Sequence, residues 1–387
     1  MFSTRVPHDR AVTRLAAAVA AARARGPVLD LTISNPTRAG IFYPPDLLAA
    51  LADRKSLTYR PEPLGLEDAR AAVADTFVAR GLPIGRERIV LTSSTSEAYS
   101  LLFKLLCDPG RSDVLTPVPS YPLFDHLARL DGVGQRRYGL EYHGAWTIDV
   151  ASLDRAWTPA VRAVLAVSPN NPTGSVLHAS DADELVTRCA SRGAALIVDE
   201  VFWDYPLGAP LVDVPALRTP PCLLFRLGGL SKTVGLPQLK LGWIAIDGPA
   251  DLVAEARDRL ELIADTYLSV STPVQVAARS LLADGASIRA AILDRVRAND
   301  ATLRRLAGVA SHVNVLPAEA GWSAVVRVPA VRTEEEIVTA LLEQHSVIVH
   351  PGYFFDFAHE AFLVLSLLPE PDVFTRGVEY ILERNAA

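Results

Sequence analysis

From about residue 85 to 250 the chain alternates short apolar, β-rich runs with helical patterns, and few architectures satisfy that order. "RIVLT" (88–92) leads to "SEAYSLLFKLLC", "DVLTPV" (113–118) to "YPLFDHLARL", and "AVLAVS" (163–168) to "DADELVTRCASRG". "ALIVDEV" (195–201), "CLLFRL" (222–227) and "KLGWIAI" (240–246) complete the series. Strands apolar at successive positions have no polar face to offer water, so both faces must be covered. Their separation by helices predicts an α/β fold with a parallel or mostly parallel sheet flanked by helices. In such sheets a ligand sits where strand C-terminal ends meet helix N-termini.

After residue 250 the pattern changes. A long helical stretch, "PADLVAEARDRLELIADTYL", leads into more helices and then short strands in "GWSAVVRV", "SVIVH" and "FLVLSLL". The expected division is a large domain over residues 45–270 and a smaller α+β domain over 271–387, joined by an N-terminal arm, residues 1–44. No internal repeat or low-complexity linker interrupts it.

Composition narrows the function class. The chain has 387 residues, half of them hydrophobic, with a formal charge of −6. That suits a soluble protein of about two domains with ample core. A mildly acidic balance gives no footprint for nucleic acid, and "RARG" at 23–26 is too short to supply one. Cys107, Cys189 and Cys222 form no CxxC pair and read as small buried hydrophobes in a reducing compartment. The eight histidines show no HxxxH spacing, so no metal is expected. No apolar run reaches membrane-spanning length, so no membrane partner is expected either. The N-terminal "RVPHDRAVTRLAAAVAAARARG" mimics a targeting segment. Yet Val12, Leu15, Val19 and Ala22 share one helical face and Arg10 and Arg14 another, and the apolar part is mostly alanine. It reads as an amphipathic helix packed on a cytoplasmic protein.

Four stretches fall at the expected strand ends. In "LTSSTSEAY" (91–99), Ser94 with Glu97 predicts a capping box at a helix start. Taken alone it is only a cap, although such a helix start can also hold a phosphate. In "VSPNNPTG" (167–174), a rigid turn after a strand projects the Asn171 amide into the crevice. In "LIVDEVFWDY" (196–205), Asp199 ends a buried strand where an unpaired charge is costly, so it needs a cation, several donors or a protonated ring nitrogen. An ordinary ion pair would serve equally. In "GLSKTVGLPQLKLGW" (229–243), Lys232 follows a strand beside small residues. There its ammonium can be desolvated, lowering its pKa and favouring imine chemistry. Together the four ask for a ligand with a phosphate, an aldehyde and a basic ring nitrogen. Pyridoxal 5′-phosphate has all three.

The order Asn-Pro-Thr-Gly, then Asp-Glu, then Ser-Lys resembles the class I/II aminotransferases, fold type I enzymes dependent on pyridoxal phosphate. The likeness runs from "SNPT" near residue 35 to "PGYFF" near 352. It implies that Lys232 carries the cofactor as an imine and shuttles a proton, with Ser231 beside it among the cofactor contacts. It implies that Asp199 keeps the ring nitrogen protonated, that Asn171 donates to the phenolic oxygen, and that Tyr121 stacks on the ring. Ser94, Thr95 and Ser96 match the phosphate-binding turn. Tyr59, in "TYRPEPLG", matches a tyrosine that reaches the neighbouring subunit's phosphate, which implies a homodimer. Asn35 lies in the segment that borders the substrate.

Several positions depart from the family pattern. Phe202 replaces a tyrosine that donates to the phenolic oxygen, and Lys240 replaces a phosphate-binding arginine, a point charge for a fork. Gly229 stands where a serine is frequent. Val364 stands where an arginine grips the substrate carboxylate. Either another arginine reaches the site, with Arg38 and Arg327 as candidates, or the substrate presents something other than a standard α-carboxylate. The expected function is an aminotransferase working between an amino donor and an oxo-acid acceptor. A β-eliminating C–S lyase shares every cofactor contact, and a non-catalytic ligand-binding relative is a further alternative. A nucleotide-binding protein is disfavoured, because no strand is followed by GxGxxG or GxxxxGK[ST].

Overall fold

The computed structural model describes residues 2–7, 12–310 and 312–384. A short strand, β1 (Leu29–Asp30), precedes the main sheet. That sheet comprises β2 (Ile89–Thr92), β3 (Asp113–Val118), β4 (Gly134–Tyr142), β5 (Trp146–Ile148), β6 (Val161–Val167), β7 (Ala195–Asp199), β8 (Leu224–Gly229) and β9 (Gly242–Asp247). Their spatial order is β2-β9-β8-β7-β6-β3-β4-β5. The central pairs, from β4 through β3, β6 and β7 to β8, are parallel. β9 runs antiparallel to both β2 and β8, and β5 antiparallel to β4. The mostly parallel, helix-flanked α/β sheet expected from the sequence is thus present.

Strand β7 shows why its sequence lacks alternation. All five of its residues are buried. Ile197 packs into one core with Leu102 and Phe103 of helix Thr95–Leu106 and Leu260 of helix Ala250–Asp265. Leu196 and Val198 enter a second core with Leu185 and Val186 of helix Ala179–Arg192. Alternate side chains feed opposite faces, and both faces are covered by helices. The pair β4–β5 escaped the sequence pattern for the opposite reason. "GQRRYGLEY" buries fully only Tyr138, so it presents no apolar run.

Beyond the sheet, helices Thr272–Asp284 and Ala286–Ala307 lead to β10 (Asn314–Val315) and β11 (Ser323–Arg327). Then come β12 (Val347–Ile348), β13 (His350–Pro351) and β14 (Phe362–Ser366). These form an antiparallel sheet in the order β10-β11-β14-β13, while β12 pairs in parallel with β1. The β1–β12 pair ties the N-terminal arm to the C-terminal third of the chain.

The N-terminal helix, Arg14–Arg25, buries Leu15 and Ala22 and is capped by Thr13, which accepts from the Ala16 amide. Val12, expected on its buried face, precedes the helix and is exposed. Arg10 lies outside the described residues. All three cysteines are buried and free. Among the described residues no helix is long and apolar enough to cross a membrane.

Candidate active site

A cavity of about 470 Å³ opens at the C-terminal ends of the central strands. Each wall follows from how a strand ends. β7 stops on Asp199, and β8 runs into Gly229, after which the chain turns at once into the short helix Leu230–Thr233. That turn brings Ser231 and Lys232 to the cavity. β2 ends at Thr92 and the next helix begins at Thr95 with Ser94 as its cap, so Ser94, Thr95 and Ser96 line the wall. Tyr121 follows β3, Asn171 follows β6, and Phe202 and Lys240 close the sides.

The helix start departs from a capping box. Ser94 Oγ accepts from the Glu97 amide at 3.1 Å. The Glu97 carboxylate, however, accepts from the Ser93 amide at 2.6 Å and from Ser269 Oγ at 2.7 Å, not from the cap residue's own amide. The Glu97 amide is thus taken, while no i−4 carbonyl within the helix reaches the Thr95 and Ser96 amides, which remain donors at the cavity end. Space there is tight. A Cβ on Gly242 would come within 3.0 Å of the Ser94 carbonyl carbon and of Thr92 Oγ1.

The two adjacent asparagines divide their work. Asn170 is buried and holds the turn, donating to Pro119 O at 3.1 Å and Thr173 Oγ1 at 2.8 Å and accepting from Ser120 Oγ at 2.8 Å. Asn171 lines the cavity and accepts from Ser323 Oγ at 3.2 Å.

Asp199 is 8% exposed. Its carboxylate accepts from the Val201 amide at 3.1 Å and from Tyr99 Oη at 3.0 Å. Burial outweighs these donors and the nearby Lys232 charge, and raises the carboxyl to about 6. Burial likewise lowers the Lys232 ammonium to about 8, against the pull of Asp199. Lys232 Nζ stands 5.6 Å from the Phe202 ring centroid and 4.7 Å from that of Trp322. Tyr205 Oη donates to Lys232 O at 2.5 Å and fixes the short helix that carries the lysine. Tyr121, 45% exposed, meets Phe124 edge-on at 6.4 Å and lines the cavity.

Asn35, Arg38 and Arg327, expected near the substrate, lie outside this cavity, and so does Tyr59, expected at a neighbouring subunit's phosphate. Tyr59 is 72% exposed and lines a separate cleft with Tyr267. The Asn35 side chain caps its own turn, accepting from the Thr37 amide at 3.1 Å and Thr37 Oγ1 at 2.8 Å. Arg38 and Arg327 are exposed and outside the cavity, whose walls hold no arginine among the described residues. Arg327 ends β11 opposite Phe362, at the far end of the small sheet. Conversely, Tyr99, Trp322, His350 and Phe354 went unnoticed in the sequence. Tyr99 carried a faint signal, since a phenol on a buried helix face must find an acceptor.

The donor set fits pyridoxal phosphate. The helix-start amides, four hydroxyls and Lys240 suit a phosphate, Asp199 suits a protonated ring nitrogen, and a partly neutral Lys232 suits an aldehyde.

Comparison with known proteins agrees. The family model for aminotransferase class I and II matches residues 27–380. Tyrosine aminotransferase of Homo sapiens is 28% identical over 269 residues, 66% of this chain but only 57% of that enzyme. The chain therefore spans little more than half of that relative. Alanine aminotransferase of Mycobacterium tuberculosis (strain ATCC 25618 / H37Rv) is 26% identical over 358 residues, 88% of this chain and 82% of that one. Among solved structures, an Escherichia coli aminotransferase superposes with a TM-score of 0.87 at 22% identity, covering 100% of this chain and 98% of that one. Alanine aminotransferase from Pyrococcus furiosus gives 0.88 at 21%, with 99% of each chain covered. At these identities the structural likeness speaks for the fold.

Proposed function

The chain belongs to the aminotransferase class I and II family, and on that premise we propose that it moves an amino group between an amino donor and a 2-oxo acid, using pyridoxal 5′-phosphate. The observation that carries this reading is the pair Asp199 and Lys232, facing one cavity with pKa values pushed toward each other, to about 6 and about 8. The Lys232 amine, partly neutral near pH 8, can meet an aldehyde and later move a proton, while the buried Asp199 lacks a counter-charge that a protonated ring nitrogen would supply.

When bound, the cofactor supplies an aldehyde for amines and a ring that accepts the electron pair released at the substrate's α-carbon. The chain supplies the rest. Ser94, Thr95, Ser96, Ser231 and Lys240 would hold the phosphate, and Tyr121 would cover one ring face. Asp199 would hold a proton on the ring nitrogen, with Tyr99 and the Val201 amide fixing the carboxylate's orientation. Asn171 would donate to the phenolic oxygen, a role in which Phe202 gives no help. Lys232 Nζ would anchor the aldehyde and then, released by an incoming amine, move the proton at the α-carbon. Phe202 and Trp322 flank the ammonium and exclude water from it.

We further read residues 45–270 as the cofactor-bearing domain, and residues 1–44 with 271–387 as the arm and small domain that border the substrate. Tyr59 supports a homodimer: it is remote from its own cavity and exposed beside Leu57, at 84%, and Tyr267, at 54%. A second copy would bury this apolar surface and put Tyr59 to use.

Incubating the loaded protein with a panel of amino acids tests the proposal. Amino exchange that depends on an added 2-oxo acid is expected. Release of ammonia and pyruvate without an acceptor would replace the transferase with a lyase, and no reaction would leave a ligand-binding protein.

A further inference from the structure

We propose that His350 is the anchor for the substrate's α-carboxylate, a single imidazole donor in the place where a guanidinium fork is missing. This deepens the aminotransferase reading and rests on it.

The charges around the cavity lead to it. Its titratable lining residues are Tyr121, Asp199, Lys232, Lys240 and His350. Lys232 and Asp199 are committed to the reacting end, and Lys240 stands by the helix start at Ser94. Among the described residues no arginine lines the cavity. Beside Thr32, Ser34, Phe354, Val364 and Ser366 in the lining, His350 is the remaining titratable group able to meet an anion.

Register places it there. In the antiparallel pair β13–β14, His350 lies directly opposite Val364. Directly opposed residues project to the same face of a sheet, with Cβ atoms about 5 Å apart. Both also line the cavity. The imidazole therefore occupies the ground beside Val364. Its ring is flanked by Phe354 at 5.7 Å and Phe355 at 5.9 Å between centroids, which limits its swing.

His350 is also uncommitted. Among the described residues its ring nitrogens have no hydrogen-bond partner and no ion pair. Two of the neighbouring hydroxyls are less free. Ser366 Oγ donates to Ile33 O at 2.5 Å and accepts from the Leu368 amide, and Thr32 Oγ1 donates to Asp30 at 2.5 Å. Asp30, a nearby carboxylate, is held by Arg23 at 2.6 Å and by the Thr32 amide at 2.9 Å. A partly buried ring without a partner, facing a cavity, is stabilised by any ligand that accepts its N–H. A carboxylate is the strongest such acceptor an amino acid carries at that distance from its amine. With one donor instead of a fork and one positive charge fewer, the site favours amino acids with apolar side chains over dicarboxylates.

The test compares two unreactive or slow ligands by the absorbance change of the bound cofactor. One is 2-methylalanine. The other is isopropylamine, the same molecule with hydrogen in place of the carboxylate. In His350→Ala the Kd for 2-methylalanine should rise about ten- to a hundredfold, the worth of a hydrogen bond to a charged group, while the Kd for isopropylamine holds. His350→Gln keeps an N–H donor and should restore most of the lost binding. Equal losses for both ligands, or no loss for either, overturn the anchor while leaving the aminotransferase reading intact. No absorbance response to any amine in the unsubstituted protein overturns both.

Discussion

Asp199 and Glu200 are neighbours in the chain, yet the fold treats their carboxylates in opposite ways. Glu200 points away from the cavity into a closed set of charges. Arg226, fully buried, pairs with both Glu200 and Asp213, the latter at 3.0 Å, and gives another N–H to Leu217 O at 2.5 Å. Arg80 meets Glu200 at 2.7 Å and Asp213 at 2.9 Å, and its guanidinium lies 3.7 Å from the centre of the Trp203 ring. Two cations answer two anions. Burial works to raise Glu200, but Arg80 and Arg226 outweigh it and hold the carboxyl below the usual range. Asp199 has two neutral donors and a lysine that is itself losing charge, and its carboxyl rises to about 6. The comparison teaches where a fold spends its counter-charges. Glu200 is matched by fixed counter-charges, and Asp199 is left without a close, fully charged partner for a ligand to supply.

The sharpest break in that comparison is Asp199→Asn. Without a charge to hold a ring-nitrogen proton, amino exchange should slow by about a thousandfold or more, read as kcat, with the fold retained. The same variant exposes a pH effect. Asp199 binds its proton more tightly folded, at about 6, than in the unfolded chain, near 4. Across that window the folded state holds more protons, so this group's contribution to stability falls as pH rises and recovers as it drops. In the cofactor-free protein the swing is about 3 kcal/mol at most, and Asp199→Asn should abolish it in denaturant titrations at pH 4 and 7.

Arg226→Leu attacks the other side. It strands two buried carboxylates on Arg80 alone, and should lower stability by about 3–5 kcal/mol in urea melts. Turnover per folded molecule should stay within a few fold, because Arg226 is absent from the cavity wall. A large loss of turnover in well-folded protein would mean that the two sides are not separate. The smallest effect belongs to Tyr99→Phe. Loss of one donor to Asp199, worth about 1–2 kcal/mol, should push the carboxyl higher. It should also shift the acid limb of the rate profile upward, with only a several-fold fall in kcat. An unshifted profile would show that the Val201 amide suffices.

Much of this arrangement was legible because burial on both faces leaves no room for polar residues. The unbroken apolar run of "LIVD" predicted a buried strand, while its terminal Asp199 fitted an ordinary ion pair as well as a ligand contact. Lys232 and Ser94 said little singly, and pointed to a site only together with Asn171 and Asp199 at successive strand ends. The half-exposed β4 gave no comparable signal, since either face of "GQRRYGLEY" tolerates polar groups. Arg38 and Arg327 misled for another reason. Position along a loop or strand restricts a side chain's direction but says nothing of its distance from a cavity built by other segments. His350 stayed hidden for the same cause. Its placement depends on pairing with Val364, a register that only the assembled small sheet defines.

The uncompensated Asp199 carries a last consequence, for how long the protein lasts in a cell. A molecule whose cavity lacks its cofactor bears the electrostatic deficit described above, and so visits open, protease-accessible states more often. A ligand bound only by the folded form suppresses those visits as RT ln(1 + [L]/Kd), about 2.7 kcal/mol at a hundredfold excess over Kd. Vitamin supply should therefore set abundance as well as activity. Cells starved of the pyridoxal precursor would lose the polypeptide itself, through proteolysis, at an unchanged rate of synthesis.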